Sequence, residues 1–190
     1  MTFTEDWYSA GQCEKVAELA KSVSKVDGSF IEIGCWEGKS SSHIARAINP
    51  KTLLCVDTWR GNINEDPNHP SVRFALARNV YQQFIANMEA DDINYIVFIG
   101  DWRDFFEGNL LNIAFLHIDA EHDYQSVYDC LVATYRCMVP GSLMCGDDFM
   151  TANMTRKDLN GGVERAVREF FEPKGLLPQN YNNLWWVEIP

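Results

Sequence analysis

Apolar residues recur along the chain in two alternating rhythms. Val16, Leu19, Ala20 and Val23 repeat at helical spacing, Asp27-Gly28-Ser29 breaks the pattern, and Phe30-Ile31-Glu32-Ile33 follows as a short, branched run. That order predicts helix, turn and strand. A second helix is predicted over Ser40 to Ile48, with serines able to cap its start and Asn49-Pro50 at its end, then a strand at Leu53-Leu54-Cys55-Val56. Residues 61–70 are polar and turn-rich, a loop long enough to act as a lid. A helix is predicted over 71–88, and strands over Tyr95 to Ile99 and Ile113 to Ile118. Val127, Cys130, Leu131, Thr134, Tyr135 and Met138 form a helical stripe ending at Pro140-Gly141, before a strand at Leu143-Met144-Cys145. Val163, Val167, Phe170 and Phe171 predict one more helix, and Leu184 to Ile189 a last strand.

Strands that alternate with helices through the whole chain predict an α/β fold: a mostly parallel, doubly wound sheet with helices on both faces. With 190 residues and no repeat or linker, the expectation is one domain over 1–190, residues 1–28 forming an N-terminal helical segment and 29–190 the core. The formal net charge of −11 repels phosphate backbones and anionic headgroups, so neither nucleic acid nor a membrane is an expected partner. Six cysteines show no C-x-x-C pair and read as reduced core residues. The acidic start, Met-Thr-Phe-Thr-Glu-Asp, is unlike a targeting segment, which makes the expected location cytoplasmic. Association into a homo-oligomer is left open.

A sheet of this kind binds its ligand at the carboxyl ends of its strands, beside the switch in strand order. Each predicted strand end carries a cluster. After the first comes Glu32-Ile33-Gly34-Cys35-Trp36-Glu37-Gly38-Lys39-Ser40, in which Gly34 and Gly38 allow close backbone approach to a ligand and the next helix aims N–H groups at it. A plain strand-to-helix turn is the simpler alternative. The second strand ends at Asp57-Thr58-Trp59, where an acid suits the two hydroxyls of a ribose, and the third at Gly100-Asp101-Trp102. Trp36, Trp59 and Trp102 therefore occupy equivalent places, suited either to stacking on an adenine or to core packing. The fourth and fifth strands end in Asp119-Ala120-Glu121-His122 and Gly146-Asp147-Asp148. If these strands are neighbours, Asp119, Asp147 and Asp148 converge, and three such carboxylates repel unless a cation lies between them. An all-oxygen set suits Mg²⁺, Mn²⁺ or Ca²⁺, the alternative being that some of them cap helices. His122 falls within reach of that pocket, whereas His43, His69 and His117 have no such company.

The segments Glu32 to Ser40, Asp57, Leu116 to Tyr124 and Pro140 to Asp148, in this order over roughly residues 12–150, resemble the class I S-adenosylmethionine-dependent methyltransferases. Within these, they look most like the metal-dependent O-methyltransferases of bacteria that act on sugars and secondary metabolites. The resemblance implies a Rossmann-like sheet whose last strand, Leu184 to Ile189, runs antiparallel beside the fifth, with Trp185 and Trp186 on opposite faces. It implies S-adenosylmethionine held by Glu32, Gly34, Trp36, Glu37, Gly38, Ser40, Asp57, Trp59, Asp101 and Trp102. It implies a divalent cation, Mg²⁺ being the first choice, on Asp119, Asp147 and Asp148, and methyl transfer to a small-molecule hydroxyl beside Asp119 and His122. His122 stands where catechol O-methyltransferase has its catalytic lysine. Residues 1–11 are short beside the N-terminal lids of many relatives, which assigns specificity to 61–70 and 149–162. An NAD-dependent oxidoreductase on the same kind of sheet, and a catalytically silent binding module, are the alternatives.

Overall fold

The computed structural model describes residues 1–5, 7–62, 68–108, 111–149 and 162–190. The chain runs α1 (Ala10–Ser22), β1 (Ser29–Ile33), α2 (Lys39–Ile48), β2 (Leu53–Asp57), α3 (Pro70–Ala77), α4 (Val80–Met88), β3 (Tyr95–Ile99) and α5 (Trp102–Gly108). It continues with β4 (Ile113–Ile118), α6 (Tyr124–Tyr135), β5 (Met138–Gly146), α7 (Gly162–Phe171), β6 (Gln179–Tyr181) and β7 (Leu184–Glu188). The seven strands form one sheet in the order β3-β2-β1-β4-β5-β7-β6. Neighbours among β1 to β5 pair in parallel, whereas β7 is antiparallel to both β5 and β6. The mostly parallel, Rossmann-like sheet expected from the sequence is the one observed.

Alternation along the strands divides the core into two layers. Phe30, Cys55, Phe115 and Cys145 point to the side covered by Val16, Leu19, Ile44 and Phe84 from α1, α2 and α4. Ile31, Ile33, Val56 and Leu116 point to the other, under Phe105, Leu131 and Val167 from α5, α6 and α7. Trp186 belongs to the first layer and Trp185 to the second. All six cysteines are buried.

Four parts of the chain depart from expectation for local reasons. The helix predicted over 71–88 is two helices, because Arg78 is extended and Asn79 caps α4 by accepting the Gln82 N–H. β5 begins at Met138 and not at Leu143; Pro140 and Gly141 lie inside it, and the Gly141 N–H donates to the Ile189 carbonyl. The hairpin strand β6 is exposed along its length and so has no apolar signal, while α5 is short and opens on a tryptophan.

Gly34 shows what the sheet requires at its centre. The Gly34 N–H donates to Val56 O at 2.9 Å and the Asp119 N–H to Ile33 O at 2.8 Å, zipping the ends of β1, β2 and β4 together. Gly34 has φ +85°, and a Cβ there would lie 1.9 Å from the Asp119 carbonyl oxygen. Left-handed strain and overpacking, each about 1–3 kcal/mol, set the cost of a side chain. Gly34→Ala is therefore expected to lower the unfolding free energy by roughly 2–6 kcal/mol in a denaturant titration. An unchanged midpoint would contradict this packing.

Candidate active site

A cavity of about 290 Å³ opens at the carboxyl ends of the parallel strands, where the chain order turns back between β1 and β4. One wall is the loop from Gly34 into α2. Asp57 clamps it: its Oδ2 accepts the N–H groups of Cys35 at 2.7 Å and Trp36 at 2.8 Å, and its Oδ1 accepts that of Trp59 at 2.6 Å. Burial pushes the Asp57 carboxyl above its ordinary range, against the pull of these three donors. An ionised carboxylate has about four acceptor positions, so three donors leave roughly one. Asp57 thus shapes the loop as well as lining the pocket.

Of the residues expected to hold a cofactor, Gly34, Trp36, Glu37, Ser40, Asp57, Asp101 and Trp102 line the cavity. Glu32, Gly38 and Trp59 do not. The Trp59 ring is buried against Tyr81 and Phe84, with centroids 4.9 and 5.0 Å away, and its Nε1 donates to the Trp36 carbonyl. Gly38 adopts φ +83° before α2, and a Cβ there would lie 3.0 Å from the Phe84 ring and 3.2 Å from Met88 Sδ. Glu32 is fully buried and accepts hydrogen bonds from the Ser40 and Ser41 hydroxyls. Its Oε1 also lies 3.0 Å from His117 Nδ1, and His117 Nε2 lies 3.1 Å from the Tyr8 hydroxyl. His117, which the sequence left without company, is in fact the centre of a buried chain of polar groups. Burial lowers the His117 pKa, but the Glu32 carboxylate more than offsets this and holds the imidazole above its ordinary range.

The opposite wall carries the acids. His122 Nε2 is 3.0 Å from Asp148 Oδ2 and 3.8 Å from Asp119 Oδ1, while Asn62 Nδ2 lies 3.1 Å from its Nδ1. Ligand atoms of Asp119, His122 and Asp148 all fall within 4.8 Å of one another. Asp147 lies deeper, and Gln12 Nε2 donates to its Oδ1 at 2.7 Å. Burial, then the charges of Asp119 and Asp148, push the Asp147 carboxyl well above the ordinary carboxylate range. A divalent cation would relieve that repulsion, and the donor set of carboxylate oxygens with one imidazole fits such an ion.

A family model described as a methyltransferase domain matches residues 31–149, more than half of the chain, from within β1 through β5. The chain belongs to the methyltransferase domain family. Among solved structures, the calicheamicin methyltransferase CalS11 is similar with a TM-score of 0.71 at 16% identity, over 94% of this chain and 80% of that one. The O-methyltransferase NovP gives 0.66 at 19% identity, over 94% and 79%. TomG from Streptomyces achromogenes, solved in complex with SAM, gives 0.57 at 16% identity, over 96% and 82%. At these identities the likeness is one of fold. A search of the curated proteins returns no match. Membership of the methyltransferase family sets aside the oxidoreductase alternative. No helix among the described residues is long and apolar enough to cross a membrane.

This methyltransferase also uses residues that its sequence did not single out. Phe3, Glu5, Trp7 and Tyr8 line the cavity, so the short N-terminal segment contributes to it directly. Arg78 fixes that segment by bonding Glu5 at 2.6 Å and also Glu37, whose other donors are the Thr4 N–H and hydroxyl. Glu121 accepts from Trp102 Nε1 at 2.8 Å and from Arg103, which lies 4.3 Å over the Trp102 ring and also bonds Asp101. No periodicity or motif marks these bonds of Glu5, Glu37, Arg78 and Glu121, because each spans between 18 and 73 residues of sequence. Of the two segments expected to set specificity, residues 63–67 and 150–161 lie outside the described residues; Gly61, Asn62 and His69 line the cavity.

The Asp147 carboxyl titrates higher in the folded protein than in the unfolded chain, so its contribution is full at low pH and is lost as pH rises through the folded value. Asp147→Asn removes the repelled charge and keeps an oxygen for Gln12. In metal-free protein at pH 7 it is expected to raise Tm, and the gain should vanish near pH 3. A lower Tm at pH 7 would show that the charge is already compensated.

Proposed function

We propose that this methyltransferase moves the methyl group of S-adenosylmethionine to a hydroxyl oxygen of a small molecule, a sugar or other secondary metabolite, with the help of a divalent cation. Residues 1–190 act as one catalytic unit in this reading. One observation carries it: a single cavity brings the Gly34–Ser40 loop and Asp57 face to face with the Asp119, His122, Asp147 and Asp148 group. The names of similar folds support the acceptor class, since CalS11 is described as a TDP-rhamnose 3′-O-methyltransferase and TomG as an O-methyltransferase of tomaymycin synthesis. The cavity mouth supports it too. Trp7, half exposed, packs on Trp36 and Phe74 at centroid distances of 5.4 and 6.1 Å, an aromatic surface suited to a ring.

In this assignment the loop backbone from Gly34 to Glu37 and the start of α2 hold the cofactor's polar end. Asp57 takes a ribose hydroxyl at its remaining acceptor position, and Trp102, held by Glu121, offers an aromatic face at the end of β3. Asp119, Asp147 and Asp148 would hold Mg²⁺ or a similar ion. A bound divalent cation supplies Lewis acidity that favours the ionised acceptor oxygen. His122 Nε2 receives the hydroxyl proton in the tautomer that carries its hydrogen on Nδ1, for which the Asn62 amide turns its oxygen, in place of its Nδ2, towards the ring. As the new C–O bond forms the S–C bond breaks, leaving S-adenosylhomocysteine. Alignment of donor and acceptor by the two walls is worth up to about 7–11 kcal/mol of the barrier.

Binding is tested by thermal melts. S-adenosylmethionine or S-adenosylhomocysteine at a hundredfold excess over Kd should stabilise the fold by about 2.7 kcal/mol, and NAD should not. Stabilisation by NAD alone would overturn the reading. A protein that binds cofactor but methylates no acceptor under any metal condition would be the silent module. His122→Ala is expected to cut turnover roughly 10²–10⁴-fold with cofactor affinity kept. If cation affinity falls with it, His122 is a ligand alongside Asp119 and Asp148; if turnover is unchanged, it has no part in the reaction.

A further inference from the structure

Gln12 is placed to serve the acidic wall although it lies on the N-terminal helix, 135 residues from the acid it touches. It is the third residue of α1 and part of a reciprocal cap. Its Oε1 accepts the Ser9 N–H at 3.0 Å and the Ser9 hydroxyl at 2.8 Å, while the Ser9 hydroxyl accepts the Gln12 N–H. A backbone N–H can only donate, so the end of the amide that faces Ser9 is its oxygen. The other end is therefore the NH₂ group, and its 2.7 Å contact to Asp147 Oδ1 is a donated hydrogen bond whose direction is fixed by the cap. Gln12 is 7% exposed and Asp147 9%, so water competes little with this bond.

We propose that Gln12 is a positioning residue for the divalent-cation site, holding the Asp147 carboxylate in place before the ion arrives. The proposal rests on the cation reading given above and names a residue outside it. A donor is needed because Asp147 lies next to Asp148 in the chain and faces Asp119, so repulsion would otherwise turn its carboxylate away. The donor has to be neutral: a lysine or arginine at this position would orient the carboxylate equally well but would oppose the ion. A buried amide locked at its far end meets both requirements. Residues that orient a metal ligand in this way typically contribute about 10–100-fold to metal affinity.

The test is the dissociation constant of Mn²⁺, read by electron paramagnetic resonance, beside that of S-adenosylhomocysteine, read by calorimetry. Gln12→Met keeps the side-chain volume and loses both polar ends. It is expected to weaken Mn²⁺ binding roughly 10–100-fold and to leave S-adenosylhomocysteine within about twofold. Ser9→Ala removes the hydroxyl of the same cap but spares the bond to Asp147, so it should lower Tm and leave Mn²⁺ affinity unchanged. In an Asp147→Asn background, Gln12→Met should weaken Mn²⁺ binding by no further factor. If Gln12→Met does not fold, Gln12→Ala, which suits a helix, takes its place with the same expectations. Unchanged Mn²⁺ affinity in the Gln12 variant would overturn the proposal. So would an equal loss in Ser9→Ala, or a parallel loss of S-adenosylhomocysteine, since each would reduce Gln12 to a cap. Wild-type protein that binds the cofactor but no Mn²⁺ would remove the cation reading itself, and the proposal with it.

Discussion

A carboxylate with no access to solvent must be surrounded by donors, and Glu32 recruits them from two different elements. It lies on β1 between β2 and β4, takes the Ser40 and Ser41 hydroxyls from the first turn of α2, and faces His117 on β4, which in turn meets Tyr8. Leaving such a group unpaired would cost several kcal/mol, on the order of 3–5 for a broken buried pair. The start of α2, the end of β4 and the N-terminal segment are thereby fixed relative to one another. Those are the elements that bound the cavity, so the shape of the site follows from how one buried charge is satisfied.

The two walls of the cavity solve different physical problems. On the side of the Gly34–Ser40 loop, Asp57 gathers three backbone N–H groups that offset part of the cost of its burial. On the opposite side, Asp119, Asp147 and Asp148 are brought together by the pairing of β4 with β5, and protein donors offset only part of their repulsion. The first wall meets its buried charge with backbone donors, whereas the second leaves three carboxylates close together. A sulfonium donor and a divalent cation are both chemically suited to such a cavity.

The legible part of the molecule was the part written in short-range pattern. Branched runs such as Ile31-Glu32-Ile33 and Ile113 to Ile118 marked the central strands, and the acids after them marked the rim. Burial patterns do not reveal which polar residues turn inward. Glu32 sits in an expected ligand-binding motif, yet its side chain faces the protein; Trp59 occupies the same relative place as Trp36 and shares its left-handed backbone, yet its ring is buried against Tyr81 and Phe84. Tyr8, Gln12 and His117 could not be read at all, because their partners are brought to them by sheet order and not by spacing. The helix expected over 71–88 fails for a related reason: Arg78 leaves the helical path where it reaches Glu5 and Glu37, a contact across 73 and 41 residues.

The buried thiols carry one more consequence. Cys13, Cys35, Cys55 and Cys145 belong to the layer under α1, α2 and α4, and Cys130 and Cys137 to the layer under α5, α6 and α7. A thiol with almost no exposed surface reacts with a labelling reagent only when its surroundings open, so the rate at each cysteine measures the opening of its own layer. The chain therefore carries native reporters on both faces of its sheet, and mass-resolved labelling can distinguish a fluctuation that loosens the N-terminal side from one that loosens the other, without any substitution.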